Sequence, residues 1–356
     1  MYSLPESPDR YLSRFPNYAT AADVDELTPG EAAERFFSEF VEAHRPCVVR
    51  GAVDHWPAVT DWSVESLRQR AGSCPIGISG PGVLYEPIVE FGVDRFIATP
   101  NRMTFGQFLD EAADDASTRV QLYSEHVETL APLADDLGPI DFLDRDALPS
   151  FFYGNRFFAS QFGYTDWHLH FGDETLTAQL LGTKEILLLP PDGDTFSIMF
   201  AMARRGVWKT PAQCWPNGFT KLVPYRVVLQ PGDAVYIPMH WWHAAEAVGS
   251  GVNVTFARVF GTPHRWLSDI RLANVRLSLL SSLLLALAES VRSRRPRQVR
   301  QFLRLVWMTA RHLPVALSAN GRDPGAPRRW TPGSVSTASI RGDVDLPSSN
   351  AERSSS

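Results

Sequence analysis

Two histidines one residue apart, His168 and His170, stand in the stretch G-Y-T-D-W-H-L-H-F-G-D-E-T-L-T-A-Q-L-L-G-T-K at residues 163–184, with Glu174 four residues after the second. On an extended strand, side chains at i and i+2 leave the same face about 7 Å apart, a spacing at which two imidazoles share a cation. A helix would need i, i+4 instead. β-Formers flank the pair and Phe171-Gly172-Asp173 reads as a turn after it, which favours the strand. One H-x-H is a weak signal alone, because solvated and packed histidines are common. A second stretch supplies the third imidazole. Pro231-Gly232-Asp233 makes a turn, Ala234–Ile237 a short apolar strand, and Pro238 breaks it before Trp241-Trp242-His243. Two ligands from one strand and one from another, beside bulky apolar residues, make a facial metal site with open positions for substrate and oxygen.

Other elements must carry these strands. Thr28, Pro29 and Glu31 read as a capped helix start, and Phe36, Phe37, Phe40 and Val41 follow at helical spacing as core residues. Residues 45–51 read as a strand ending at Gly51, with His55 a packed or capping histidine. Further on, short strands at 76–79, 95–99 and 120–123 surround a helix at 104–113 that Thr104 caps. The acidic run 132–149 reads as a solvated loop, and the aromatic run 151–162 as a strand lining the site. Residues 191–223 form a long irregular insert, read either as a cover over the mouth of the site or as an ordinary surface excursion. Residues 265–313 carry leucine stripes at helical spacing, expected to pack on the sheet or on a second copy as a homodimer. Past residue 320 the chain is rich in Pro, Gly, Ser and Arg, the composition of a disordered tail.

Bulk properties narrow the classes. A chain of 356 residues with 44% hydrophobic and 21% charged residues has a globular composition and length for a sizeable core. A net charge of −6 argues against a nucleic-acid backbone as the main partner. Cys47, Cys74 and Cys214 have neither disulfide-framework nor CxxC spacing and suit a reducing cytoplasm. The first residues lack signal-peptide character, and the longest apolar run, 277–287, is too short to span a bilayer.

The two site stretches follow H-x-H-x3-E and then G-x5-P-x4-H, the spacings of the two cupin motifs. More closely, L-T-A-Q-L-L-G-T-K-E-I-L-L-L-P-P-D and L-Q-P-G-D-A-V-Y-I-P-x-x-W-W-H resemble the JmjC-type, cupin-like hydroxylases. That family includes the asparaginyl hydroxylase that inhibits hypoxia-inducible factor. The earlier R-P-x-V-x-R-G-A-x-x-x-W-P-A-x-x-x-W-S-x-x-x-L is a third match. The resemblance implies a mainly β fold with flanking helices: a double-stranded β-helix (jelly-roll, cupin) core with an N-terminal α/β elaboration and C-terminal helices. The expected organisation is an extended lead-in at 1–20, a catalytic domain at 21–263, a helical region at 264–315 and a disordered tail at 316–356.

The resemblance also implies an Fe(II)- and 2-oxoglutarate-dependent oxygenase that hydroxylates a C–H bond of a protein, peptide or small molecule. In such enzymes the strand motif is H-x-D. His168 takes the first place and His243 the distal one, so His170 falls where the family has its carboxylate. Either three histidines hold the metal, or Glu174 or Asp173 supplies the anionic ligand; the favoured set is His168, His170 and His243 with Glu174 as a fourth ligand. For 2-oxoglutarate, Lys184 matches the family's Q-x-x-G-x-K lysine, Thr165 its hydroxyl donor and Tyr123, more loosely, its tyrosine. Thr255 stands where many relatives carry Asn. Trp167, Trp241 and Trp242 are expected to wall the site. Two other classes remain: a cupin metalloenzyme that does without 2-oxoglutarate, favoured by His170, and a non-catalytic binding module.

Overall fold

The computed structural model describes residues 10–79, 101–114, 121–122, 125–144, 146–149, 155–161, 163–170, 174–192, 194–195, 198, 220–249 and 251–261. Tyr123, Asp173, the expected strand at 95–99, most of the 191–223 insert, the helical region 264–315 and the tail lie outside these residues.

Two sheets dominate. The smaller runs β1 (Ala22–Asp23), β13 (Tyr225–Leu229), β12 (Thr183–Leu189), β15 (Trp242–Val248) and β10 (Tyr164–His168). The larger runs β2 (Asp25–Leu27), β3 (Cys47–Val49), β14 (Ala234–Ile237), β11 (Glu174–Leu181), β16 (Asn253–Gly261), β9 (Arg156–Ser160), β6 (Gln121–Leu122), β4 (Pro75–Ser79) and β5 (Asn101–Thr104). Two short strands join it at the side: β7 (Glu125–His126) pairs with β9, and β8 (Leu148–Pro149) with β16. Long strands alternate between sheets along the chain, β11 in the larger, β12 and β13 in the smaller, β14 in the larger, β15 in the smaller and β16 in the larger. This is the winding of a double-stranded β-helix, the expected fold class.

Directly opposed residues of an antiparallel pair share a face, so the registers sort every side chain. On the smaller sheet Lys184 opposes Leu229 and Ala247, Ile186 opposes Val227 and Ala245, and Leu188 opposes His243. Ile186, Leu188, Val227 and Leu229 form one buried cluster with Val48, Val235 and Ile237 of the larger sheet. Those faces therefore look at each other, and the space between them is the lumen.

The opposite face of the larger sheet carries Leu176, Ala178, Tyr236, Phe157 and Phe256. It packs against Phe36, Phe40, Trp56, Trp62, Leu67 and Phe108 from the N-terminal helices. Those helices start as their sequences ask. Thr28 and Glu31 exchange hydrogen bonds around Pro29 to open α1 (Pro29–Arg35). Gln107 and Thr104 do the same at the residue-105 end of the later helix Phe105–Asp114. After α1 the chain widens into a π turn, Phe36–Val41, which brings Phe36, Phe40 and Val41 into the core together. Phe37 stays partly covered.

Several expectations need correcting. Residues 10–20, read as an extended lead-in, form 3-10 turns at Leu12–Arg14 and Tyr18–Thr20 whose Leu12 and Phe15 are buried. The acidic run is not simply a solvated loop. It contains helical turns at Ala131–Ala134 and Asp141–Asp144, Asp136 accepts from Arg70 and Trp62, and Asp144 pairs with Arg258. These carboxylates are fixed by partners far away in sequence. His55 is exposed beside Trp56 rather than packed.

The 45–51 strand and the Pro231-Gly232-Asp233 turn lock together. Asp233 accepts from Arg50 Nη1 at 2.7 Å, from the Gly51 amide at 3.1 Å and from the Gln230 amide at 3.0 Å. Gly232 sits at φ +94, and a Cβ there would lie 1.7 Å from Asp54 Oδ1. Gly232→Ala is expected to cost about 2 kcal/mol of stability, read as a lower urea midpoint at unchanged slope.

Candidate metal centre

β10 ends at His168, and β15 opens with Trp242-His243, which places His168 and His243 directly opposite one another. His170 follows two residues after the strand has ended. The ligand nitrogens of His168, His170 and His243 all lie within 4.8 Å of one another. Ring centroids are 4.0 Å apart for His168 and His243, 4.7 Å for His170 and His243, and 5.4 Å for His168 and His170. Among the described residues this is the group of His, Cys, Asp and Glu side chains with metal-ligand spacing.

Neighbours hold the rings in orientation. His243 Nδ1 lies 3.0 Å from the Trp241 carbonyl, which can only accept, so Nδ1 carries the proton and Nε2 keeps its lone pair. His170 Nδ1 lies 2.9 Å from Thr175 Oγ1, and the His170 carbonyl accepts from the His240 amide at 2.7 Å. Burial takes the His170 pKa down to about 3, with His168 adding to the effect. Burial, His168 and His170 also push His243 well below the ordinary histidine value, against the opposing Trp241 bond. For His170 and His243 these shifts favour the neutral imidazole, the form a divalent cation requires.

Glu174 stands outside this group. It is fully buried, and its Oε2 accepts from the Tyr236 hydroxyl at 2.9 Å and the Met239 amide at 2.8 Å. The cause is strand parity: Thr175 takes the lumen face, so Glu174, one residue earlier, takes the other, where Tyr236 waits. Its carboxylate instead pins the turn that leads to His243. The same parity moves two of the three tryptophans. Trp167 packs on Phe15 with centroids 4.9 Å apart, and Trp242 opposes Leu189, both on the face away from the lumen. Trp241 belongs to the cluster between the sheets.

Lys184 and Thr165 share the lumen face with the histidines. Thr165 opposes Ala245, which opposes Ile186, two residues from Lys184. Lys184 is 9% exposed, and its Nζ lies 5.8 Å from the centroid of Phe158 across the lumen. Among the described residues no carboxylate or hydrogen-bond acceptor engages this ammonium, and burial draws its pKa down to about 7. A buried cation without a counter-ion is a receptor for an anionic group. Tyr123, expected beside it, lies outside the described residues. The sequence reading did not single out Thr175 or Phe158. Thr175 was recoverable from parity, as the residue after Glu174.

Residues 33–263 match the family described as the cupin-like domain. The chain is 27% identical over 240 residues to the tRNA wybutosine-synthesizing protein 5 of Danio rerio, an overlap covering 62% of this chain and 71% of that protein. It is 24% identical over 237 residues to lysine-specific demethylase 8 of Xenopus tropicalis, covering 63% of this chain and 50% of the relative. With the Jumonji C domain-containing protein 5 of Drosophila melanogaster the identity is 24% over 276 residues, 71% of this chain and 64% of that one.

Two outcomes follow from the geometry. Thr175→Val removes the hydroxyl that orients His170 and should weaken divalent-metal binding about 10- to 100-fold in a titration of metal-free protein. For Lys184, the folded pKa of about 7 lies below the ordinary value of 10.5. Between the two the unfolded chain holds a proton that the folded lumen lacks, so this residue makes stability rise with pH across that window. Lys184→Met should therefore melt above the wild type at pH 7 without ligand, and the difference should shrink as pH approaches 10.

Proposed function

The chain belongs to the cupin-like domain family, and on that premise we propose that it is an Fe(II)- and 2-oxoglutarate-dependent oxygenase hydroxylating a C–H bond. The observation that carries the reading is the pairing of a three-histidine group with a buried lysine that meets no counter-ion among the described residues. His168, His170 and His243 would hold Fe(II) through neutral nitrogens, leaving other positions open. Lys184 would take the distal carboxylate of 2-oxoglutarate, with Thr165 on the same face as a hydroxyl donor. When bound, metal and co-substrate supply the oxidation: O2 and 2-oxoglutarate are consumed, and succinate, CO2 and the hydroxylated product leave. The chain's own part is to orient both and keep the lumen dry, which Ile186, Leu188 and Phe158 serve.

Relatives named for tRNA modification and for lysine demethylation span different substrate classes. The net charge of −6 favours a protein, peptide or small-molecule substrate over a nucleic acid. Three scattered cysteines suit a cytoplasmic setting, and among the described residues no helix is long and apolar enough to cross a membrane. His170, in place of the family's carboxylate, supports a second reading, a cupin metalloenzyme that does not use 2-oxoglutarate.

Anaerobic Fe(II) titration of metal-free protein, with and without 2-oxoglutarate, separates the two. A weak visible charge-transfer band that needs 2-oxoglutarate and disappears in Lys184→Ala is the expected result. Metal binding with no such band would reject the oxygenase reading in favour of the second.

A further inference from the structure

Lys184 enters the lumen just past an irregular corner, and the side chains that hold this corner have no other task in the proposed reaction. Between Gln179 and Leu181, β11 advances two residues while β16 advances one, from Thr255 to Val254, so β11 carries a bulge at Leu180. The chain then turns through Gly182 at φ +74, where a Cβ would stand 3.0 Å from the Val252 carbonyl oxygen. A bulge and a turn in succession free backbone carbonyls that need donors. Gln179 Nε2 supplies both, donating to the Leu181 carbonyl at 2.7 Å and the Gly182 carbonyl at 3.1 Å. Gln179 Oε1 in turn accepts from Thr255 Oγ1 at 2.9 Å, and Asn253 Nδ2 donates to the Thr183 carbonyl. The Gln179 backbone is tied as well, its amide to the Asp233 carbonyl and its carbonyl to the Gly232 amide, both at 2.9 Å. Gln179 and Thr255 are fully buried and Asn253 is 2% exposed.

We propose that Gln179 and Thr255 are positioning residues that set how deep Lys184 stands in the lumen, and so select the chain length of the dicarboxylate. This rests on the oxygenase reading above. The corner is the origin from which residue 184 is counted: Lys184 is two residues past Gly182 and four before Leu188, which opposes His243. Four strand residues span about 13 Å, and a slip of one residue would move the ammonium about 3.3 Å and turn it out of the lumen. A single methylene in a dicarboxylate is shorter than that slip, so a rigid corner can discriminate one carbon and a loosened one cannot. Gln179 is suited to the task because every polar atom of its amide group is engaged inside the corner. An apolar side chain of similar size would fill the space and take these donors from two partly buried carbonyls.

The test uses the full chain loaded with Fe(II) under anaerobic conditions. Calorimetry would give dissociation constants for 2-oxoglutarate, for oxaloacetate one carbon shorter and for 2-oxoadipate one carbon longer. Wild type, Thr255→Val, Thr255→Ser and Gln179→Leu would be compared, with Fe(II) affinity and melting curves as controls. The wild type should prefer the five-carbon acid. Thr255→Val should lose about tenfold in 2-oxoglutarate affinity and most of the length preference at unchanged metal affinity. Thr255→Ser, which keeps the hydroxyl, should restore both. Gln179→Leu should lose more, and if it does not fold, the two Thr255 variants still decide. Folded variants with wild-type length preference would overturn the inference alone. A wild type that binds metal and none of the three acids would sink the oxygenase reading and this inference with it.

Discussion

The opposition of His168 and His243 across β10 and β15 is the constraint on which the rest depends. Once these two share a face, the two-residue period of a strand assigns every neighbour a side. Lys184, Ile186 and Leu188 join the histidines, while Glu185, Leu187 and Leu189 are turned away. The same rule on β11 puts Thr175, Thr177 and Gln179 toward the lumen and gives Glu174 to the opposite layer. The site is thus a product of register rather than of local sequence. A slip of one residue in β10 or β15 would exchange imidazoles for tryptophans.

The lumen divides by chemistry along its length and its walls. Apolar side chains from both sheets, Ile186, Leu188, Val227, Leu229, Val235 and Ile237, fill part of it. The smaller sheet carries the imidazole of His243 opposite Leu188 and the ammonium of Lys184 four residues away, while the larger sheet adds the hydroxyl and amide groups of Thr175, Gln179 and Thr255. Within these walls the described residues offer the Lys184 ammonium, imidazoles and neutral donors, and the buried carboxylate of Glu174 is already bonded to Tyr236 and Met239. An anion entering this space meets no described carboxylate to repel it.

Much of this was readable in the residues, and the misses have physical reasons. The coming together of His168, His170 and His243 is legible because strand spacing and order along the chain carry it, whereas Lys184 and Thr165 were named on the family resemblance and the structure places them on the same lumen face. Thr28 with Glu31 and Thr104 announce helix starts because capping is local chemistry. Glu174 was expected beside the metal because its spacing suits a ligand, yet an odd offset from Thr175 decides its side. Trp167 and Trp242 fail for the same reason. Asp136, Asp144 and the whole 10–20 segment were misread because their partners, Arg70, Arg258 and the back of the smaller sheet, lie far away in the chain.

That last contact gives the domain's edge a meaning. Glu185 and Glu246 face each other on adjacent strands, one residue from Lys184 and three from His243, on the side away from the lumen. Two buried like charges this close repel, and both are met by the opening segment. Arg10 and Tyr18 engage Glu185, with Arg226 joining them, while the amides of Tyr11 and Leu12 cap Glu246 at 2.8 and 3.1 Å. Tyr11 stacks on Tyr164 of β10, the strand that ends at His168, with ring centroids 4.1 Å apart. Family similarity begins only at residue 33. A unit delimited by that similarity would leave this acidic pair without Arg10, Tyr18 and the Tyr11 and Leu12 amides. The recognisable module and the electrostatically complete module therefore have different beginnings.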